Sequence, residues 1–321
     1  MARSSGARST LPAVSVVLPT YRRPDLLERA IASVCVQTRG DWELLVVDDN
    51  GLGTPDQVET EQLMRRYAGE PRITYVSHDR NRGACAARNT GIRRSQAEFV
   101  AFLDDDDVWF PSKLERQLDR FEAVGPDVAL VYGGVVMVDA AGRRTRFPAD
   151  GAARERRNLL MRNGIGTTSV VMCRRAALLE VGGFDERLPS MQDFDLYVRL
   201  AQRHAFTWVD DDLLEYHRHE SGNIGRDYAA AARANALFYD KHRPLFEDDP
   251  VVHHYRLRSY GLEVMRAGRM GDARRLLWRA WRVRPAALGT LLVAATLNRP
   301  LLTAYRRAHR LLRATGILGG S

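Results

Sequence analysis

The chain has 321 residues, of which 45% are hydrophobic and 27% charged, a balance typical of a globular protein with a sizeable core. This composition excludes a disordered chain, a collagen-like repeat and a disulfide-stabilised scaffold. The three cysteines, Cys35, Cys85 and Cys173, are far apart, which favours a reducing compartment and offers no zinc-type spacing. Residues 1–12 are basic and Ser-rich without an apolar core, so we predict a disordered N-terminus, no signal peptide and a cytoplasmic location.

The excess positive charge lies near the carboxyl end of the chain. The net charge is +8, but residues 251–321 carry 14 Arg, no Lys and two acids, a net of +12, whereas residues 1–250 carry a net of −4. A nucleic-acid-binding protein more often carries positive charge on its working domain, interleaved with aromatic residues. We therefore predict no nucleic-acid partner.

From residue 14, short apolar runs alternate with segments of helical periodicity. This order predicts a mainly parallel sheet with helices on both faces. In such sheets ligands bind beyond the carboxyl ends of the strands, and three of the four predicted ends carry acidic residues. In the helix predicted at 111–124, Ser112 and Glu115 have capping-box spacing. The predicted strands are 14–18, 43–49, 73–78 and 98–104, and the predicted helices are 24–37, 56–68, 84–95 and 111–124.

The regularity weakens after residue 125. Apolar runs at 128–139 and 168–173 predict strands of a second, mixed half. The Arg-rich polar stretch 141–163 between them predicts a loop, and 192–204 predicts a helix. We place the boundary of this α/β domain, which begins at residue 13, at residue 225.

Residues 226–321 are predicted to form a basic helical extension. Within it, 260–285 resembles one helical hairpin of tetratricopeptide type, and one such unit is not a repeat array. The apolar run 285–297 has 13 residues, too few to span a bilayer.

The run Asp104-Asp105-Asp106-Asp107 is the sharpest chemical signal in the sequence. Two carboxylates ~4 Å apart repel by roughly 4 kcal/mol at an effective dielectric constant near 20, so such a cluster is usually compensated by a cation. A divalent cation with oxygen ligands is one interpretation. A solvated acidic loop that favours the start of the next helix through its dipole is the other.

Other residues allow both a functional and an ordinary structural interpretation. Asp49 ends the second strand as acids that bind a ribose or base do, although Asp49-Asn50-Gly51 also suits a simple turn. Arg88 could pair with phosphate or lie on the surface of an amphipathic helix. No G-x-G-x-x-G loop follows the first strand and no Walker A sequence occurs, which argues against those nucleotide sites.

Two later pairs are also candidates. Asp193 and Asp195 lie on the helix predicted at 192–204, and each could be a buried base or a helix-cap carboxylate. His217 and His219 lie on one face of a strand-like stretch. They could be metal ligands or ordinary surface residues.

Taken together, these segments resemble the family 2 glycosyltransferases of the GT-A fold. The resemblance covers roughly 14–222. Its six pieces, in order, are VSVVLPTYRRPDLLERAIASVCVQT, DWELLVVDD, NRGACAARNTGI, FVAFLDDDDVWFPSKLERQ, GGFDERLPSMQDFDLYVRL and YHRHESGN.

The resemblance implies a GT-A domain over 13–225, with a mixed, mainly parallel sheet flanked by helices. It implies inverting, metal-dependent transfer of a sugar from a nucleotide-diphosphate sugar to a hydroxyl of a glycan, lipid-linked or natural-product acceptor. The Q-x-x-R-W signature of processive synthases is missing, so we predict non-processive transfer. The alternative is a catalytically inactive GT-A-like binding or scaffold module.

The resemblance also implies roles for single residues. Asp106 would bind Mn²⁺ or Mg²⁺, and His219 matches a residue that completes the metal or diphosphate site in some relatives. Asp193 matches the catalytic base of inverting members, although Gln192 stands where an acid often precedes it. Tyr21 and Asp49 would hold the base, and Asp104 or Asp105 would contact the ribose or sugar. The residues placed in the donor site are Pro19, Tyr21, Asp49, Arg88, Asp104 and Asp105.

The basic extension permits two interpretations. Trp278 and Trp281 beside many Arg residues suit peripheral contact with an anionic membrane surface, at the inner face of the membrane. A helical hairpin that packs its Trp and Leu faces on the catalytic domain fits the pattern equally well.

Overall fold

The structure, a computed structural model, describes residues 11–217, 227–287 and 289–290. His219 and residues 1–10 lie outside these ranges, so the predictions made for them are not addressed by the structure. The chain divides into two units, Met1–Asn223 and Ile224–Ser321.

The described part of the first unit contains one sheet of nine strands. The strands are β1 (Val14–Thr20), β2 (Trp42–Asp48), β3 (Ile73–Ser77), β4 (Phe99–Phe102), β5 (Val108–Trp109), β6 (Val128–Val138), β7 (Arg144–Phe147), β8 (Met172–Arg174) and β9 (Ala205–His217). Their order is β3-β2-β1-β4-β8-β6-β9-β5, and β7 pairs with β6. The ladders among β1 to β4 are parallel, as is β6 with β9, whereas β8 is antiparallel to β4 and β6. The predicted mixed, mainly parallel sheet is confirmed.

Helices cover this sheet. All seven residues of β1 are buried, as expected for a central parallel strand covered on both faces. The first helix starts with Pro24 at a position where a missing backbone N–H costs nothing. The helices of the first unit are α1 (Pro24–Cys35), α2 (Pro55–Arg65), α3 (Ala84–Arg94), α4 (Lys113–Glu122), α5 (Arg156–Met161), α6 (Arg175–Glu180) and α7 (Gln192–Leu200).

Three local predictions differ from the structure. The Ser112 side chain makes no capping hydrogen bond, and the Glu115 carboxylate instead accepts one from Thr38 at 2.9 Å. The stretch 141–163 contains β7 and α5 rather than a continuous loop. The run 168–173 begins as a 3₁₀ turn, and only its last two residues belong to β8.

The described part of the second unit is helical, as predicted. It contains α8 (Tyr228–Glu247), α9 (Pro250–Arg266) and α10 (Met270–Val283). A β-carbon at Gly261 of α9 would lie 3.0 Å from the Leu277 side chain of α10, so glycine permits the close approach of these helices. Within the described ranges, no helix is long and apolar enough to cross a membrane.

Candidate active site

The acidic run follows β4 at the carboxyl edge of the sheet, and its four carboxylates have different surroundings. Asp105 is buried and accepts hydrogen bonds from the Thr20 hydroxyl at 2.9 Å and from the Tyr21 N–H at 3.3 Å. Burial and the neighbouring charge of Asp106 raise the pKa of Asp105 to about 7. Asp105 therefore ties the end of β1 to the end of β4.

Arg23 supplies positive charge to this cluster. Its Nη1 atom lies 2.5 Å from Oδ2 of Asp106 and 3.4 Å from Oδ1 of Asp105. Sequence analysis missed this residue because its partners lie more than 80 positions away along the chain. The only sequence signal was a basic residue immediately before the helix predicted at 24–37.

Arg88 compensates the first carboxylate of the run. It lies on α3, is 7% exposed, and forms an ion pair with Asp104. The Asp104 backbone N–H donates to the Ser169 hydroxyl at 3.0 Å. The surface interpretation of Arg88 is excluded by its burial, since a guanidinium is rarely buried unless it is paired.

The last residue of the run, Asp107, and Lys113 at the start of α4 are both buried ionisable groups. Burial and the charges of Asp104 and Asp106 raise the pKa of Asp107, which is 1% exposed, well above its ordinary value. Lys113 is fully buried, its pKa is lowered by burial, and its Nζ lies 3.9 Å from the centre of the Trp109 ring. Nothing in the pattern PSKLERQ predicts this buried lysine.

Asp49 has a structural task in this structure. Its Oδ1 accepts the Arg82 N–H at 2.8 Å and its Oδ2 accepts the Gly83 N–H at 2.7 Å, while His78 Nδ1 lies 2.7 Å from Oδ1. These bonds fix the loop that leads into α3 and hence to Arg88. Contact of Asp49 with a nucleotide base stays a prediction.

Pro19 and Tyr21 lie at the end of β1. Pro19 is buried in the strand opposite Val47 of β2, whereas 38% of Tyr21 is exposed. Tyr21 is therefore the more accessible of the two for a ligand.

Asp193 lies in the first turn of α7. Its Oδ1 accepts the Phe194 N–H at 2.7 Å and its Oδ2 accepts from Nδ2 of Asn163 at 3.0 Å. Burial raises the pKa of Asp193, the charge of Arg88 lowers it and that of Asp104 raises it, which places these three groups within electrostatic reach of one another.

The other aspartate of α7 is separate from this site. Asp195 is fully buried and its Oδ2 lies 2.8 Å from the guanidinium of Arg199 on the same helix. His217 ends β9, with its Nε2 at 2.7 Å from Glu215 and at 2.9 Å from Arg29.

The carboxylates suit a hard cation. Asp104 and Asp106 keep 26% and 19% of their side chains exposed, so neither carboxylate side chain is fully closed off from solvent. In the described part of the chain, no group of three or more His, Cys, Asp or Glu side chains is placed to hold a metal. Mg²⁺-type sites commonly use one or two carboxylates plus phosphate oxygens of the substrate, and the residues present fit that arrangement.

An α/β sheet with an acidic cluster at its carboxyl edge, together with a separate half-buried carboxylate on α7, agrees with the class of nucleotide-sugar transferase folds that the sequence resembles. Residues 15–182, just over half of the chain, match the family described as "Glycosyl transferase family 2". The chain belongs to this family, a family of transferase enzymes, and the resemblance in the sequence is confirmed.

Individual proteins agree with this assignment. An uncharacterized glycosyltransferase of Rickettsia conorii is 32% identical over 63% of this chain, which spans only a third of that protein's length. The putative colanic acid biosynthesis glycosyl transferase WcaA of Escherichia coli K12 is 29% identical over 74% of this chain and 83% of its own. The Escherichia coli protein WfgD, named as a UDP-Glc:alpha-D-GlcNAc-diphosphoundecaprenol beta-1,3-glucosyltransferase, is 31% identical over half of this chain and 60% of its own.

A solved structure supports the fold. The mannosyltransferase PcManGT from Pyrobaculum calidifontis, in complex with GDP-Man and Mn²⁺, superposes with a TM-score of 0.57 at 20% identity, covering 95% of this chain and 81% of that one. The predicted GT-A fold is confirmed.

Proposed function

We propose that this chain transfers a sugar, with inversion at the anomeric carbon, from a nucleotide-diphosphate sugar to a hydroxyl of its acceptor, one acceptor at a time. The observation that carries this proposal is the position of Asp193. It is a hydrogen-bonded carboxylate on a separate helix, within electrostatic reach of Arg88 and of Asp104 in the acidic run. Such a displacement requires a base that accepts the proton of the acceptor hydroxyl and a charged cluster that compensates the charge of the leaving group.

The donor side of the reaction requires positive charge. Arg88 is held by Asp104 with its position fixed by burial, and Arg23 lies against Asp106. Both guanidinium groups are proposed to contact the donor diphosphate, because a guanidinium can donate two parallel hydrogen bonds to phosphate oxygens. Tyr21, exposed at the end of β1, and Asp105 are proposed to contact the nucleoside.

Asp106 is the residue proposed to hold Mn²⁺ or Mg²⁺, with His219 as a second candidate that lies outside the described residues. When bound, the cation supplies compensation for the negative charge of the leaving nucleoside diphosphate. PcManGT carries Mn²⁺ together with its GDP-Man, which supports the proposal.

The acceptor side needs a base. The pKa of an acceptor hydroxyl lies far above 7, so the proton must pass to a nearby group as the oxygen attacks. Asp193 Oδ2 is proposed to receive it. Asp195 is not suited to this task because its carboxylate is fully buried against Arg199.

The experiment that tests the proposed function is release of nucleoside diphosphate from UDP-glucose, UDP-GlcNAc and GDP-mannose in the presence of Mn²⁺. Turnover with at least one of these donors, suppressed by excess chelator, is expected. A catalytically inactive binding module would bind a donor without releasing the nucleoside diphosphate, and that outcome would favour the alternative.

A lipid-linked acceptor at a membrane surface is the second part of the proposal, and the name of WfgD supports it. The exposed face of α10 carries an exposed indole among guanidinium groups, the composition of a surface that binds anionic lipid headgroups. The exposed residues of this face are Arg274, Arg275, Trp278, Arg279 and Arg282.

Neutralising part of this face is expected to weaken binding to anionic vesicles. Each basic residue near such a surface contributes about 1 kcal/mol, so R274Q/R279Q should lower the partition coefficient by roughly tenfold or more at low salt. The measurement is co-sedimentation with phosphatidylglycerol-containing vesicles. The matched control is R65Q/R66Q, which removes two exposed Arg residues at the carboxyl end of α2. Equal sedimentation of the two variants, or no sedimentation of the unaltered protein, would contradict the proposal.

A further inference from the structure

Asn163 lies in the segment between α5 and β8, and all the hydrogen-bonding capacity of its amide is used. Its Nδ2 donates to Oδ2 of Asp193 and to the Gly166 carbonyl, each at 3.0 Å. Its Oδ1 accepts the N–H groups of Ile165 at 3.2 Å and of Gly166 at 3.0 Å. An amide has two donor hydrogens and two acceptor lone pairs, so nothing is left over.

These contacts fix which way the amide points. Exchanging its oxygen and nitrogen would set NH₂ against two backbone N–H donors and oxygen against a carbonyl and a carboxylate. The turn itself depends on Gly166, whose φ of 98° lies in the region that favours glycine. The backbone therefore holds the Asn163 amide with one N–H aimed at Asp193.

The same segment also contacts the acidic run. Six positions after Asn163, the Ser169 hydroxyl accepts the Asp104 N–H at 3.0 Å. The Thr168 hydroxyl lies 3.5 Å from Oδ2 of Asp104. One stretch of seven residues, 163–169, thus touches both the proposed base and the donor-side acid. Its conformation sets the relative placement of these two carboxylates.

In the surroundings of Asp193, an uncharged hydrogen-bond donor stabilises the ionised form of its carboxylate. Burial disfavours its ionised form, as does the charge of Asp104, while the charge of Arg88 and the Phe194 N–H favour it. The Tyr197 hydroxyl, one turn further along α7, is close enough to be influenced by the Asp193 charge. A base must be ionised before it can take a proton, so each added donor extends the pH range in which Asp193 can act.

We propose that Asn163 is a positioning residue, which orients the Asp193 carboxylate and holds it ionised through the Nδ2–Oδ2 hydrogen bond. This inference rests on the proposed function, because it assigns Asn163 a task only if Asp193 is the base. The sequence offers Asn163-Gly164 merely as a turn signal, and the partner lies 30 positions away.

Two substitutions distinguish the role of Asn163 as a hydrogen-bond donor to Asp193 from its role in the turn. N163D keeps an oxygen that can accept the Ile165 and Gly166 N–H groups but faces Asp193 with a like charge, whereas N163A removes both functions. A purely structural role predicts the smaller defect for N163D. The proposal predicts the larger defect for N163D, since like charges disfavour ionisation.

The first readout needs no donor. The ionisation of Asp193 is followed by ¹³C NMR of protein labelled at the aspartate carboxyl carbon, with its signal assigned by its loss in D193N. The pKa of Asp193 is expected to rise by about one unit in N163A and by more in N163D. The matched control is N158A, which removes an amide of α5 that donates to the Ala152 carbonyl at 3.2 Å. In this variant the pKa of Asp193 should equal that of the unaltered protein.

The second readout is turnover of UDP-glucose, UDP-GlcNAc or GDP-mannose with Mn²⁺, each compared across pH. Loss of a hydrogen bond to a charged group corresponds to a roughly tenfold to hundredfold fall in kcat, with donor KM nearly unchanged and the acid limb of the profile moved to higher pH. An Asp193 pKa that is the same in all variants would overturn the positioning role. Full turnover in D193N would instead overturn the proposed function, whatever the NMR titration shows.

Discussion

Replacing Asp106 by Asn is expected to abolish glycosyl transfer while leaving the fold intact. An amide oxygen keeps the shape of the side chain but removes the charge that would hold Mn²⁺ or Mg²⁺, and a metal supplies several kcal/mol of stabilisation to the leaving group. We expect turnover to fall on the order of a thousandfold or more. Mn²⁺-dependent binding of UDP or GDP, measured by calorimetry, should be lost with it.

The control for this experiment is Asp41→Asn. Asp41 is also paired with an arginine, Arg39 at 2.9 Å, but it lies before β2, at the opposite end of that strand from the acidic run. Its replacement should leave turnover and nucleotide binding unchanged. Full activity of D106N, or full activity of the unaltered enzyme in excess chelator, would show that Asp106 does not hold an essential metal.

The strands and helices around the site were predictable because their signals are local. β1 is a run of buried residues, and the apolar pattern predicts the ends of the parallel strands β1 to β4 to within two residues. The placement of Asp104 and Asp106 at the carboxyl edge follows in turn from the strand that precedes them. This part of the site needs no knowledge of distant contacts.

The individual environments of the aspartates in the candidate site were not predictable. Arg23 reaches Asp106 across 83 positions, and Asn163 reaches Asp193 across 30. A single sequence carries no signal of such pairings, because each residue type is also common on surfaces and in turns. The contacts of Asp49 were equally hidden in the sequence, because its carboxylate accepts hydrogen bonds from two backbone N–H groups that no motif predicts.

Tertiary contacts also overrode local patterns. The exposed strand β7 has no apolar alternation, and it forms because it pairs with β6 and because Arg146 bridges to Asp212 at 2.8 Å. The 3₁₀ turn at 168–170 replaces a predicted strand where the Ser169 carbonyl accepts the Trp109 indole N–H at 2.7 Å. Both exceptions lie in segments that are stabilised by partners distant along the chain, a neighbouring strand for β7 and the Trp109 side chain for the 3₁₀ turn.

Replacing Asp193 by Asn is expected to lower kcat by roughly 10²–10⁴-fold with the affinity for UDP or GDP nearly unchanged, because the lost proton transfer belongs to the transition state. The unaltered enzyme should lose activity as pH falls through the pKa of Asp193, which burial raises above its ordinary value. D193N should not unfold more easily. When the pKa of a carboxyl is higher in the folded than in the unfolded state, the free energy of unfolding falls as pH rises from the unfolded-state pKa to the folded-state pKa. An uncharged amide at this position does not titrate and therefore does not lower the free energy of unfolding.

The matched variant is Asp195→Asn, two positions along the same helix. Asp195 is fully buried against Arg199, so removing its charge leaves a guanidinium without its anionic partner and should destabilise the fold by about 3–5 kcal/mol. Per folded molecule, however, D195N should turn over donor at close to the normal rate. Denaturant unfolding and initial rates corrected for the folded fraction measure the two effects separately. If D195N lost more turnover per folded molecule than D193N, the base would have to be sought at Asp195, because only the group that accepts the proton can carry the larger loss in the chemical step.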